Sequence, residues 1–290
     1  MIGVQRLTRV LRVLATSDQV APTNARLSAI LIAPSDAGKS ELLLSHLPPD
    51  ARVLDDFTSA GLYHLLKERP HPSWIVVPDL NALISHKPSV ANLTMANLLS
   101  LLGEGTSEIL GPDGAKVKIT DEPNGIRLGL LTGVTPDMFF SKRGRWRATG
   151  FLRRLIPIYY TYGAETQETI QSTIRQGSDA TPYTRVVMPV RTRKPRNVPI
   201  PGPLAKAAEK MSEDAIRYQL RWSVGKTTTE HRDDARGVQA FELPFSLHKM
   251  YRRYLRAHAR LQGRSRVTNS DLQALADFHR FVRYDKPEIL

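Results

Sequence analysis

The chain contains no cysteine in 290 residues. That excludes disulfides and thiolate zinc sites and fits a reducing cytoplasm, the expected location. No apolar run approaches the roughly 18–20 residues that span a bilayer, so no membrane segment is expected. The first ten residues, Met1–Val10, lack a long apolar stretch and a cleavage site, so no secretory leader is expected. The eight histidines are scattered, with no pair at zinc spacing beside a helix-borne glutamate, and there is no Gly-x-Ser-x-Gly elbow. Transition-metal and serine-nucleophile chemistry are therefore not expected. Acidic residues are also scarce. Asp and Glu number 28 against 41 Lys and Arg, a net charge of +13, which favours a polyanionic partner, most often nucleic acid. The excess is concentrated: residues 141–200 hold 12 basic and 3 acidic side chains, and His248–Ser270 holds 7 basic and none acidic.

Against these absences stands one strong motif. Ala33-Pro-Ser-Asp-Ala-Gly-Lys-Ser40 follows the apolar run Leu27–Ile32 and precedes Glu41-Leu-Leu-Leu44. Strand, small-residue loop, Gly-Lys-Ser and helix, in that order, make a phosphate-binding P-loop. Pro34, Ser35, Asp36, Ala37, Gly38, Lys39, Ser40 and Glu41 are the candidate nucleotide-binding residues. Gly38 permits close approach, Lys39 reaches the β- and γ-phosphate oxygens, and Ser40 holds Mg²⁺. The motif asks for glycine at its first position, where this chain has Ala33. Alanine serves there only if its backbone keeps φ negative.

Further apolar runs predict strands at Ala51–Leu54, Trp74–Val77, Arg127–Leu131 and Leu152–Tyr160, with helices over 38–46, 59–68 and 94–102 between them. A hairpin is expected from Ser107–Leu110, a Gly111–Gly114 turn and Lys116–Thr120. Residues 1–16 predict an amphipathic helix with Leu7, Val10, Leu11 and Leu14 on one face. Strands alternating with helices imply an α/β fold with a mainly parallel sheet flanked by helices and a ligand at the strands' carboxyl ends. Beyond the Pro-rich, basic segment 191–203 the pattern is helical, over 204–222, 247–262 and from about 268 onward.

Asp79, at the end of the Trp74–Val77 run, is the candidate magnesium aspartate, expected on a strand beside the P-loop strand and paired with Ser40. The glutamate that ordinarily follows and polarises water is absent, since positions 80 and 81 are Leu and Asn. Glu104, Asp55 or Asp56 could substitute, or hydrolysis is slow. Thr132, expected at the tip of the Arg127–Leu131 strand, could orient water near the γ-phosphate. Arg143, Arg145, Arg147, Arg153 and Arg154 follow, and one of them could neutralise phosphate charge on a neighbouring subunit.

The order of P-loop, Pro-Asp strand end, helix, short hairpin, Leu-Leu-Thr-Gly-Val-Thr-Pro strand and Gly150-Phe-Leu-Arg-Arg-Leu155 resembles the AAA+ ATPase superfamily. Within it, the order is most similar to the minichromosome-maintenance helicases and their mobile-element relatives. The resemblance implies ATP and Mg²⁺ as cofactors and catalytic roles for Lys39, Asp79, Thr132 and Arg154, with Arg154 in the finger position. It implies a hairpin directed at nucleic acid, with Lys116 and Lys118 as contacts, and a helical lid near the C-terminus. The implied domains are an N-terminal helix and lead-in over 1–24, a nucleotide-binding core over 25–190, a linker over 191–203 and a lid over 204–290. The implied function is a helicase-like ATPase acting on DNA as a ring or filament. Two other functions fit the same residues: a weakly hydrolysing loader that recruits a protein partner, and a basic nucleic-acid scaffold with a degenerate P-loop.

Overall fold

Apolar strands that need cover on both faces organise the molecule. The computed structural model describes residues 3–20, 26–48, 50–68, 70–103, 105–111, 113–122, 125–176, 196–225, 244–282 and 287–290. Its six-stranded sheet comprises β1 (Ser28–Ile32), β2 (Ala51–Val53), β3 (Trp74–Val77), β6 (Gly129–Val134), β7 (Leu155–Thr161) and β8 (Glu288–Ile289). The order is β2-β3-β6-β1-β7-β8, and every neighbouring pair is parallel. A separate antiparallel hairpin pairs β4 (Glu108–Leu110) with β5 (Lys116–Lys118).

All residues of β1, β3 and β6 are buried. Alternation sends Ala29, Leu31, Val76, Leu131, Ile156 and Tyr160 into one apolar cluster. That cluster also takes side chains from α1 (Gln5–Ala15), α2 (Lys39–Ser45), α8 (Gly202–Gly225), α9 (Pro244–Leu261) and α10 (Asn269–His279). Ile30, Ile32, Ile75, Val77 and Leu130 point the other way, against α3 (Ser59–Lys67), α4 (Asn81–Ser85), α5 (Pro88–Leu102) and α6 (Pro136–Ala148). The result is the α/β architecture expected, a parallel sheet between two helical layers.

Both ends of the chain contribute to the first cluster. Leu7, Val10, Leu11 and Leu14 of α1 join Tyr251, Tyr254 and Phe278 of the C-terminal helices and Phe281 just beyond them. Tyr254 stacks on Phe278 with centroids 4.3 Å apart, an arrangement worth about 1 kcal/mol beyond area burial. The start of α10 is fixed by a capping box, in which Asp271 closes on the backbone N–H of Thr268. Asp271 is fully buried and also accepts from His258 Nδ1 at 2.6 Å and from Arg264 at 2.5 Å. Burial raises its pKa, but the hydrogen bonds from His258, Thr268 and Arg264 outweigh that and hold the carboxyl below its usual range.

Some elements differ from the sequence expectation. The strand expected at Arg127–Leu131 is Gly129–Val134, shifted toward the loop that follows. α5 begins at Pro88 rather than at Thr94, and α6 occupies residues read only as a basic connection. Both helices open with proline in the first turn, where the missing N–H costs nothing. α6 escapes periodicity because the face that buries Phe139 and Trp146, seven residues apart, carries Arg143 between them and the buried Arg147 beside them. The linker and lead-in expected over 191–203 and 17–24 lie partly outside the described residues, which resume at 196 and 26.

Candidate nucleotide site

β1 lies between β6 and β7, and its carboxyl end opens into the loop Ala33–Gly38. Ala33 is buried, and its N–H donates to Val134 O at 3.3 Å. Among the described residues, Asp36 is the one non-glycine with positive φ, at 61°. Ala33 thus satisfies the condition under which alanine replaces the first glycine. Gly38 has φ 68° and leads into α2, in the left-handed region where a side chain is strained. Asp36 tolerates the same region because its side chain is short and polar, at a cost of about 1 kcal/mol. Left-handed residues in such a turn bend it into a concavity lined by backbone N–H groups, which suits an anion. Pro34, Ser35, Asp36 and Glu41 are exposed, while Gly38, Lys39 and Ser40 are half-buried.

Lys39 folds back over this loop. Its Nζ donates to Ala33 O at 2.9 Å and Pro34 O at 2.7 Å. Burial pulls its pKa down, opposed by the charges of Asp79, Asp36 and Glu41. Those three carboxylates therefore bear on one ammonium. Asp79 is exposed and accepts the N–H of Asn81 at 2.9 Å. Its strand is not beside β1, as expected, because β6 is interposed. The gap is closed by Gly133 of β6: a Cβ there would lie 2.7 Å from Pro78 O and 3.5 Å from Lys39 Cβ. Leu80 N donates to Gly133 O at 3.0 Å and ties the end of β3 to β6.

Thr132 lies within β6, opposite Ile30 and Val77, and not at a strand tip. It is completely buried, and its Oγ1 has no hydrogen-bond partner. Alternation along β6 turns its side chain, like those of Leu130 and Val134, toward α3–α6, on the opposite face from Gly133 and Lys39. Hydroxyl and carboxylate oxygens from Ser40 and Asp79 are the donor chemistry that Mg²⁺ accepts. The residues present therefore fit a nucleotide with its metal.

Two tyrosines that sequence reasoning missed steady the loop. Tyr160 and Tyr162 both donate to Ala37 O, each at 3.0 Å. They occupy alternate positions at the carboxyl end of β7, which pairs directly with β1. The Tyr159-Tyr-Thr-Tyr162 run was the available signal. Of the candidates for a water-polarising carboxylate, Asp56 is held by His86 Nε2 at 2.8 Å, Asp55 is exposed, and Glu104 lies outside the described residues.

Arg154 is placed elsewhere. It immediately precedes β7, whose Leu155 pairs with Ser28, so it stands at the amino edge of the sheet. Five residues of β1 separate that edge from the P-loop, roughly 16 Å. Its Nη1 donates to Gly150 O at 3.1 Å, and a Cβ on Gly103 would come within 2.9 Å of its Nε. Arg143 lies over the Phe140 ring, Arg145 bonds Asn92, Arg147 is buried and Arg153 is exposed. The hairpin lysines are exposed and paired: Lys116 with Glu108 at 3.8 Å and Lys118 with Asp121 at 2.5 Å. The hairpin is pinned to α5 by buried Asn97, which donates to Leu110 O and accepts from Leu110 N.

No protein-family model matches this chain, and no curated protein matches it. Among solved structures it is similar to a full-length MCM homolog from Methanopyrus kandleri, with a TM-score of 0.54 and 15% identity. The match covers 99% of this chain and 57% of that one, so the chain spans a little over half the length of that protein. At this identity the likeness establishes a shared fold. Among the described residues, no helix is long and apolar enough to cross a membrane.

Proposed function

We propose that this chain is an ATPase of the AAA+ type that acts on nucleic acid as a ring or filament. The observation that carries the reading is the convergence of Lys39 and Asp79 beside Gly133, at the mouth of a loop shaped for an anion. In this reading the loop N–H groups and Lys39 bind the triphosphate, and Ser40 and Asp79 hold the metal. Bound Mg²⁺ would neutralise phosphate charge. Lys39 releases the Ala33 and Pro34 carbonyls to reach phosphate. Arg154, remote from its own P-loop, serves the site of a neighbouring subunit. The core over 25–190 and the lid over 204–290 are its two working parts, and Lys116 and Lys118 approach nucleic acid.

A second reading is favoured by Leu80, which is fully buried in the position after Asp79 and leaves no carboxylate there. In that case the chain hydrolyses slowly and uses nucleotide to assemble and recruit a partner. One experiment separates the two: ATP turnover and particle mass, with and without single- and double-stranded DNA, for wild type and Lys39→Ala. DNA-stimulated turnover lost in the variant supports the motor. ATP-dependent oligomers without turnover support the loader. DNA binding indifferent to ATP and to Lys39 removes both.

A further inference from the structure

We infer that the amino edge of the sheet carries a phosphate-backbone site for nucleic acid, built from Arg26, Arg127, Arg252, Arg253 and Arg256. It refines the nucleic-acid part of the proposed function and does not depend on ATP hydrolysis. Arg26 and Arg127 stand two residues before β1 and β6, which pair in parallel, so the topology delivers them side by side. Arg26 Nη1 donates to Arg127 O at 2.7 Å and fixes that approach. α9 supplies the others. Arg252 and Arg256 lie one turn apart with Arg253 between them, all half-buried beside the fully buried Tyr251, Tyr254 and Leu255. Arg256 Nε donates to Val198 O at 3.1 Å, which orients its guanidinium.

These side chains bear on one another. Burial, then the charges of Arg127, Arg256 and Arg26, push the Arg253 pKa down to about 10. Burial and the neighbouring Arg252 lower that of Arg256. Gathering half-buried cations raises the energy of the free protein and is offset when an anion enters. The turn Ser17–Gln19 packs on α9 and brings the buried Asp18 to this side.

The chemistry selects among polyanions. All five groups are arginine, whose planar fork matches phosphate oxygens two at a time, whereas a diffuse anionic surface is served equally well by lysine. The hairpin lysines have acidic partners within 4 Å and offer less net charge. Arg127 follows the hairpin insert, so a strand of nucleic acid along this edge passes the hairpin's base.

The test is oligonucleotide binding by fluorescence anisotropy, without nucleotide, for wild type, the Arg252→Gln/Arg253→Gln double variant and the Lys116→Gln/Lys118→Gln control. The arginine variant should bind about tenfold more weakly near 0.1 M salt, and its log–log salt slope should fall by about 1.5. The lysine control should lose less. Phenylglyoxal modification of the wild type, mapped by mass spectrometry, gives a readout free of folding effects: bound oligonucleotide should protect Arg252, Arg253 and Arg256. Unchanged affinity in a folded arginine variant, or equal modification with and without oligonucleotide, overturns the site while leaving nucleic-acid binding intact. Failure of the wild type to bind any oligonucleotide overturns the nucleic-acid part of the proposed function itself. Displacement by polyglutamate at equal charge concentration assigns the site to acidic protein and overturns the choice of ligand.

Discussion

The two edges of the sheet are built by different means. At the carboxyl edge, eight consecutive residues shape a loop whose main chain does most of the work, and Asp79, just past β3, bears on Lys39 with the backbone of Gly133 alongside. At the amino edge, arginines from residues 26, 127, 154 and 253 are brought to the same end of parallel strands. The first edge mixes an ammonium with Asp36, Glu41 and Asp79. The second concentrates guanidinium groups. A site made mostly of backbone needs contiguous sequence, because left-handed residues must follow one another at fixed offsets. A site made of charged side chains needs only topology.

If the edges are distinct in function, substitutions should separate them. The largest effect is expected for Arg154→Ala, which should lower ATP turnover by about 10³-fold or more while leaving nucleotide affinity unchanged. Mixing it with Lys39→Ala subunits should restore part of the activity, because each supplies what the other lacks. Loss of nucleotide binding by Arg154→Ala would instead make that residue structural and blur the comparison.

Next in size is a change that should damage neither edge directly. Asp271→Ala removes a buried carboxylate from His258, Arg264 and Thr268, and thermal or urea unfolding should show a loss of about 3–5 kcal/mol. Because the folded carboxyl titrates below its unfolded value, its stabilisation is complete above the unfolded pKa of about 3.9. It is lost as pH falls through the lower folded value. Wild type should therefore lose stability in that acid window, and Asp271→Asn should lose less there.

Gly133→Ala tests the carboxyl edge alone. A methyl group 2.7 Å from Pro78 O must push the Pro78–Asp79 end of β3 away from β6. About 1–3 kcal/mol of stability should be lost, with weaker nucleotide binding and unaltered oligonucleotide binding. The smallest effects belong to the tyrosines. Tyr160→Phe or Tyr162→Phe should each cost about 1 kcal/mol or less in nucleotide binding, since the other hydroxyl still holds Ala37 O. The double variant should lose more than the sum. Additive losses would show that the two hydroxyls act independently.

This contrast also explains how much was legible in the sequence. The P-loop, the buried strand Trp74–Val77, the hairpin and the start of a helix near 268 each have a local cause, so they could be read residue by residue, while the strand read over Leu152–Tyr160 is Leu155–Thr161. Thr132 lies inside the strand rather than at its tip, because Leu-Leu-Thr-Gly-Val continues as strand past the point where the apolar run breaks. α6 was missed because its first proline was read as the end of a strand rather than the start of a helix. Gly133 and the tyrosine pair act across strands, and their partners Lys39, Pro78 and Ala37 lie far away in sequence. The grouping of Arg26 and Arg127 with α9 depends on sheet order and helix docking, neither of which has a local signature.

The most direct test of the central claim is titration with a fluorescent ATP analogue in the presence of Mg²⁺, for wild type, Lys39→Ala and Asp79→Asn. The account predicts saturable one-site binding by wild type and at least tenfold weaker binding by Lys39→Ala. It also predicts for Asp79→Asn a loss seen with Mg²⁺ but not with EDTA. Equal affinity in all three proteins, or no binding by a folded wild type, would contradict it.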